Sequence, residues 1–219
     1  IVRIQEPRAL LEEACHIVVD QGGFGIAWIG KASSDYKTLT LAVSQGIEVV
    51  ALGASLFLAA DSDDPDLGIP NTALETSQPV FCNDVLTAAD HDRTCYDANN
   101  RGYRSVVALP LITVDEVFGV MVLYAREANY FDDEELKLLS ELAGDISFAL
   151  QAIENEKRAS FLACYDALTA LPNTTLFLDR LSQLIQAAQR ENNTVFVIAL
   201  NLDRFKELND TYGRHVGDQ

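Results

Sequence analysis

Near the end of the chain, the run Asn201-Leu-Asp-Arg-Phe-Lys-Glu-Leu-Asn-Asp-Thr-Tyr-Gly-Arg-His-Val-Gly-Asp218 sets amide, carboxylate, ammonium and glycine residues at fixed offsets. It directly follows the apolar stretch Val195-Phe-Val-Ile-Ala-Leu200. A buried strand delivers ligand-handling side chains in this way, to its C-terminal edge and into the helix that follows. The apolar stretch is therefore expected to be a strand, and 201–218 the place where chemistry collects.

The elements that must hold such a site belong to a chain of 219 residues, long enough for one large or two modest domains. Hydrophobic residues make up 48% and charged residues 22%, ordinary for a globular protein. The formal net charge of −17 is not ordinary. Such a surface repels phosphate backbones and anionic headgroups, which argues against nucleic-acid binding and against membrane contact within these residues. Part of the excess sits in Asp61-Ser-Asp-Asp-Pro-Asp66, which reads as an exposed loop. Cys15, Cys82, Cys95 and Cys164 show no CxxC or metal-ligand spacing, so they read as free thiols of a reducing, cytoplasmic compartment. No apolar run approaches the roughly 18 residues of a membrane span. Ile1 is not an initiator methionine, so the sequence reads as a fragment at its front as well as its back.

Leu10, Leu11, Ala14, Cys15, Val18 and Val19 recur at helical spacing between Pro7 and Asp20. Strands are expected from Gly22 to Ile29 and from Thr38 to Val43, joined by a turn at 33–36 as a hairpin. The glycines of the first are not a dinucleotide fingerprint, because a helix precedes them where a strand is needed. A mixed, helical stretch at 47–60 and a short helix at 69–76 lead to a short strand at 79–82. Residues 105–111 form a strong apolar strand, Asp115-Glu116 a turn, and 117–124 a strand buried on both faces. Phe131 then opens Asp132-Asp-Glu-Glu135, an acidic first turn suited to the positive end of a helix. Interleaved strands and helices predict a mixed α/β (α+β) layer domain up to about residue 153.

The order and details of this half resemble a GAF domain over residues 5–153. The residues that carry the likeness are Gly68-Ile-Pro-Asn-Thr-Ala-Leu-Glu-Thr-Ser-Gln-Pro-Val80, Asn83-Asp-Val85, Arg104-Ser-Val-Val-Ala-Leu-Pro-Leu111, Phe118-Gly-Val-Met-Val-Leu123 and Phe131-Asp-Asp-Glu-Glu-Leu-Lys-Leu-Leu-Ser-Glu-Leu-Ala143. The resemblance implies a central antiparallel sheet flanked by helices, a small-molecule pocket on one side, and dimerisation. Leu136, Leu139, Ala143, Ile146, Leu150 and Ile153 repeat at 3-4-3-4-3, the stripe of a coiled-coil seam. Residues 136–150 suit packing on the domain's own sheet. The continuation to Ala163 is expected to be a signalling helix, 136–164, through which a homodimer forms.

Tyr165-Asp-Ala-Leu-Thr-Ala-Leu-Pro-Asn173 closes that helix, and an amphipathic helix with Leu176, Leu178, Leu181, Leu184 and Ile185 follows. Together with the closing run, this resembles the first third of a GGDEF domain of diguanylate cyclases, an α-β-α segment over 165–219. The resemblance implies GTP and Mg²⁺ as the parent's ligands, with a carboxylate-held metal against the phosphates. It places Phe205 and Lys206 at the phosphates, and Asn209 and Asp218 at the guanine, whose edge offers both donors and acceptors. The family's metal-binding aspartate falls at Asn201, whose neutral carbonyl is a poor ligand for a hard dication. Asp203 lies two residues further on, and Ala170 and Thr174 replace the family's usual Gly and Arg. These departures favour a degenerate cyclase domain, and the segment as it stands is not itself catalytic. A strand at 195–200 without neighbours is an aggregation hazard, so it is expected to pack on the long helix or pair with another copy.

For the GAF pocket, Trp28, Phe81, Cys82, Tyr96 and Arg104 are candidate lining residues, and the ligand is unknown. Cys95 precedes Tyr96 rather than His, against bilin attachment; His16 and His91 lie poorly for haem; Asp90-His-Asp92 is too contiguous to share one ion. A thiol-based sensor at Cys82 or Cys95 rests only on their presence. Two functional readings follow: a cytoplasmic GAF sensor regulating a GGDEF output in cyclic-di-GMP signalling, or a non-enzymatic dimerisation and ligand-binding scaffold with a GTP-binding GGDEF unit, ahead of a phosphodiesterase domain.

Overall fold

The computed structural model describes residues 6–33, 38–46, 68–88, 92–114 and 116–218. Most of the turn expected at 33–36, the helical stretch at 47–60, the acidic loop at 61–66, His91 and most of the motif around it, and one residue of the 115–116 turn lie outside them. The chain divides into two compact units, Ile1–Glu154 and Asn155–Gln219.

In the first unit, helix α1 (Pro7–Asp20) starts at a proline whose missing N–H costs nothing there, and it buries Leu11, Ala14, Cys15 and Val18. Strand β1 (Ile26–Ala32) begins later than expected, because Gln21 and Gly22 still donate their N–H groups to Ile17 O at the end of the helix. Strand β2 (Leu39–Gly46) pairs antiparallel with it. Helices α2 (Ile69–Thr76), α3 (Val85–Ala88) and α4 (Arg93–Asn100) surround the short edge strand β3 (Val80–Cys82) in sequence. Strands β4 (Ser105–Ile112) and β5 (Val117–Ala125) follow, and the antiparallel sheet runs β2-β1-β5-β4-β3.

Period-two alternation sends β5 residues Met121, Leu123 and Ala125 to one face, with Ala27, Ile29, Val107 and Leu109. Val120, Val122 and Tyr124 go to the other, with Ile26, Trp28, Val106 and Ala108. Helix α1 and the inner face of helix α5 (Asp133–Cys164) cover the first face; residues of α2, α3 and α4 cover the second. Covering both faces is why β4 and β5 read as near-continuous apolar runs rather than alternating ones.

Asn83, just beyond β3, ties these layers together. Its Nδ2 donates to Phe131 O at 2.8 Å, and its Oδ1 accepts from Phe131 N–H at 3.0 Å. Its own carbonyl accepts from Asn129 N–H at 2.7 Å and lies 3.0 Å from the Ser105 hydroxyl. Phe131 is thereby held where α5 begins, its ring buried and stacked on Phe24 at 6.2 Å. Asp132 Oδ1 then caps the helix by accepting from Glu135 N–H at 2.8 Å.

α5 is one helix of 32 residues, and its 3-4 stripe packs on the domain's own sheet as residues 136–150 were expected to. Leu139, Ala143, Ile146, Leu150 and Ile153 are buried, the first four inside the core of the unit's own sheet. Ser147 Oγ accepts from Ile112 N–H at 3.0 Å, and Gln151 Oε1 from Val114 N–H at 2.9 Å, so the helix also closes the end of β4. A stripe engaged by its own sheet is not free to be a seam; beyond Ile153 the helix continues with exposed residues to Ala163.

In the second unit a compact turn joins α5 to helix α6 (Thr174–Glu191). Asp166 Oδ1 accepts from the N–H groups of Leu168 and Thr169 and from the Thr169 hydroxyl, and these bonds, Thr169's first, hold its carboxyl below the usual range. Asn173 Oδ1 caps α6 by accepting from Leu176 N–H at 3.0 Å, while its Nδ2 donates back to Ala163 O at 3.0 Å. Ala170 adopts φ +54°, a left-handed conformation that favours glycine. Helices α7 (Phe205–Tyr212) and α8 (Arg214–Gly217) end the unit.

The strand expected at 195–200 is absent. These residues are irregular, with Phe196 85%, Ile198 83% and Leu200 93% exposed. A strand exists by pairing, and the described residues of this unit hold a single isolated bridge, Tyr165 with Pro172, and no ladder for 195–200 to join.

Asn83→Ala strands the Phe131 backbone groups and is expected to cost about 2–4 kcal/mol of the first unit's stability, measured by urea unfolding. A loss too small to resolve in that titration would show that the bracket is dispensable. Ala170→Gly should relieve left-handed strain and raise the opening free energy of the 165–173 amides by about 0.5–1 kcal/mol in hydrogen exchange. Faster exchange there would contradict it.

Candidate functional site

The first unit's candidate site is the sheet face covered by α2 and α4. β1 and β5 place Trp28 and Tyr124 there, both fully buried, and the Tyr124 hydroxyl lies beside the Trp28 indole. Burial, chiefly, holds the Tyr124 phenol in its protonated form by pushing its pKa up. The Tyr103 ring meets Tyr124 edge-on, centroids 5.7 Å apart. Cys95 of α4 is buried in the same cluster, and Cys82 packs against it from β3.

Of the residues expected to line this pocket, Trp28 and Cys82 belong to the cluster. Phe81 and Tyr96 do not join them: they are 44% and 55% exposed. Phe81 alternates with Val80 and Cys82 along β3 and so faces the other way, and Tyr96 is on the outer side of α4. Arg104 makes an ion pair instead, Nη2 to Asp84 Oδ1 at 3.0 Å, beside the loop that Asn83 fixes. Tyr124, Tyr103 and Asp92 were not among the sequence candidates. Tyr124 ends an apolar strand and looked like core. Asp92 carried a readable signal, as an N-cap three residues before Cys95, whose N–H donates to its Oδ1 at 2.9 Å. Its carboxylate sits against Gly68, at φ +68°, where a Cβ would come within 2.7 Å of both carboxylate oxygens. α2 and α4 therefore start from one shared point.

A separate open groove of about 390 Å³ lies between the β4 end and α5, among Pro79, Pro110, Ile112, Gly144 and Phe148. Among the described residues no titratable side chain lines it; its polar lining is hydroxyl and amide groups, among them Thr113, Ser140 and Gln151.

In the second unit, α7 and α8 bring together part of the expected nucleotide set. The Asn209 side chain abuts Gly217, where a Cβ would run into Asn209 Oδ1 and approach Phe205 Cζ to 3.1 Å. Asn209 Oδ1 is buried with no hydrogen-bond donor, an acceptor suited to an N–H of a purine edge. Asp218, the next residue, is exposed beside them, whereas Lys206 and Asn201 are exposed and not gathered with the others. Among the described residues no group of three or more His, Cys, Asp and Glu side chains is placed to hold a metal. With a neutral amide at 201, the residues present do not fit a Mg²⁺ site.

A five-stranded antiparallel sheet with helices on both faces, followed by a long helix, defines a sensor-type α/β domain with an appended segment. The chain belongs to the GAF domain family, whose pattern matches residues 5–151, and the pattern of the diguanylate cyclase GGDEF domain matches residues 163–219. The bifunctional diguanylate cyclase/cyclic di-GMP phosphodiesterase MucR of Pseudomonas aeruginosa is 51% identical over 57 residues, 26% of this chain and 8% of that protein. The diguanylate cyclase DgcP of Escherichia coli is 27% identical over 132 residues, 57% of this chain and 39% of that protein. The chain thus spans well under half the length of either relative. Among solved structures, the second GAF domain of DevS from Mycobacterium smegmatis superposes with a TM-score of 0.52 at 16% identity, covering 70% of this chain and 99% of that one. The GAF domain of an Acinetobacter phosphoenolpyruvate-protein phosphotransferase gives 0.53 at 18% identity, covering 68% and 85%. These likenesses concern the fold.

Gly217→Ala is expected to push α8 off Asn209 and weaken GTP binding by the full-length protein by about tenfold, read by calorimetry. Unchanged affinity would remove Asn209 and its neighbours from the nucleotide site.

Proposed function

We propose that the GAF unit senses a small molecule on its α2–α4 side and regulates a C-terminal GGDEF output in cyclic-di-GMP signalling. The observation that carries this reading is α5: a single helix runs from the sensor sheet, which grips it through Ser147 and Gln151, to the turn that begins the GGDEF segment. A ligand that shifts the sheet edge acts on the output through that helix. The exposed part of α5 beyond Ile153 is where two copies meet as a homodimer. No described helix is long and apolar enough to cross a membrane, and we place the protein in the cytoplasm.

Asn201 favours an output that binds GTP through Phe205, Asn209 and Asp218 without efficient turnover, rather than an active cyclase. A purely scaffolding GAF unit ahead of a phosphodiesterase domain is the second reading, supported by the same substitution. The domain limits of this reading are 5–153 for the sensor, 136–164 for the signalling helix and 165–219 for the GGDEF segment. Full-length protein should bind GTP with little turnover, lose about tenfold or more in affinity in Asn209→Ala, and gain Mg²⁺-dependent turnover in Asn201→Asp. Brisk cyclic-di-GMP production by the wild type, unaffected by Asn209→Ala, would overturn both the site and its degenerate character.

A further inference from the structure

Of four free cysteines, two share one side of the sheet. Cys82 ends the edge strand β3, where it pairs with Val106 of β4, and Cys95 lies on the inner side of α4. Val106 and Cys95 belong to one buried cluster, Cys82 packs against it, and the Cys82 side chain is close enough to the Cys95 thiol to help hold it protonated. The two differ in access: Cys95 is fully buried, whereas Cys82 is half-buried on an edge strand whose neighbour Phe81 is exposed. The other cysteines stand apart. Cys15 is buried on the opposite face of the sheet, its thiol pushed up to about 12 by desolvation, and Cys164 belongs to the second unit.

We propose that Cys82 and Cys95 are a redox pair, closing a reversible disulfide when a hydroperoxide reaches Cys82. The Cys82 thiolate attacks one oxygen of the hydroperoxide; the O–O bond breaks, the alcohol or water leaves with a proton, and Cys82 becomes a sulfenic acid. The Cys95 sulfur then attacks the Cys82 sulfur; the S–S bond forms, the S–O bond breaks, and water leaves carrying the Cys95 proton. Two thiols lose two electrons and two protons, and the hydroperoxide is reduced to the alcohol and water. The Asp92 carboxylate, which accepts from the Cys95 backbone N–H at 2.9 Å and acts electrostatically on its thiol, is placed to receive that proton in passing.

The surroundings divide the labour. Burial first, then the Asp92 charge, then the Cys82 thiol hold Cys95 protonated, so it stays inert toward bulk oxidants and acts only on a sulfur already beside it. The bond would staple the edge strand to α4, whose first turn shares the Asp92–Gly68 junction with α2. The signal thus reaches the helices over the candidate pocket. This deepens the sensor reading and rests on it only for what the staple does downstream, since the bond itself is scored without any output.

The full chain, reduced, is treated with stoichiometric hydrogen peroxide, alkylated, and digested without reductant for mass spectrometry. Expected is a cross-linked peptide joining Cys82 to Cys95, two hydrogens lighter than its parts, with Cys15 and Cys164 still alkylated and dithiothreitol restoring both thiols. Cys82→Ser and Cys95→Ser should each abolish it, and Cys95→Ser should leave Cys82 to advance to the sulfinic acid. Sulfinic Cys82 beside an unreacted Cys95 thiol in the wild type, or both thiols intact, would overturn the pair. If the cross-link fails while GTP binding by the full-length protein still responds to another small molecule, the pair falls and the sensor reading stands. If the cross-link forms and GTP binding does not change, the pair stands as chemistry and its coupling to the output falls.

Discussion

One amide holds the first unit's layers in register. Asn83 satisfies both backbone groups of Phe131 with its side chain while its own carbonyl collects Asn129 N–H, so β3, the segment after β5 and the start of α5 meet at a single residue. Those groups are shielded from water, and leaving them unpaired would cost more than the bonds themselves contribute. Everything on the α1 and α5 side of the sheet depends on Phe131 being in place against Phe24. Everything on the other side depends on β3 being docked on β4 next to it.

The sheet serves two tasks because its faces are chemically unlike. The α1 and α5 face is built almost wholly from aliphatic and phenyl groups with Cys15, and it serves as a mechanical seat for a long helix. The α2–α4 face buries an indole, two phenols and a thiol in addition to its aliphatic residues. Placing reactive and hydrogen-bonding groups on one side leaves the other free to be packed for stiffness. Neighbouring residues on a single strand, Leu123 and Tyr124, belong one to each task.

Much of this was legible in the sequence. The run from Val117 to Tyr124 announces a strand covered on both sides because it never alternates, and Phe131 with its acidic followers announces a helix start. α4 was harder to read: its composition, Arg-Thr-Cys-Tyr-Asp-Ala-Asn-Asn, is polar, and only the Asp92 cap and the buried Cys95 and Ala98 make it a helix. The stripe on α5 has the right period, but period does not name the partner, and the unit's own sheet claimed it. At 195–200 the apolar pattern and β-branched residues favour a strand, yet pairing is a property of neighbours and not of the segment. The same limit applies to the candidate site. The type of each residue is visible in sequence, whereas the placing of Cys82 and Cys95 on one side of the sheet, or the turning away of Phe81 and Tyr96, depends on which side of a strand or helix the fold selects.

The uneven covering of α5 has a mechanical meaning. At about 1.5 Å per residue, its 32 residues span about 48 Å, gripped along the stretch that carries Leu139 to Ile153 and bare from there to Ala163. The rod is held differently along its length: side chains grip its first part, and Asn173 closes its last turn by donating to Ala163 O and Cys164 O. Whatever alters how Ser147 and Gln151 hold the end of β4 therefore enters the helix along its gripped stretch, and beyond Ile153 only the helix's own backbone hydrogen bonds are left to carry it.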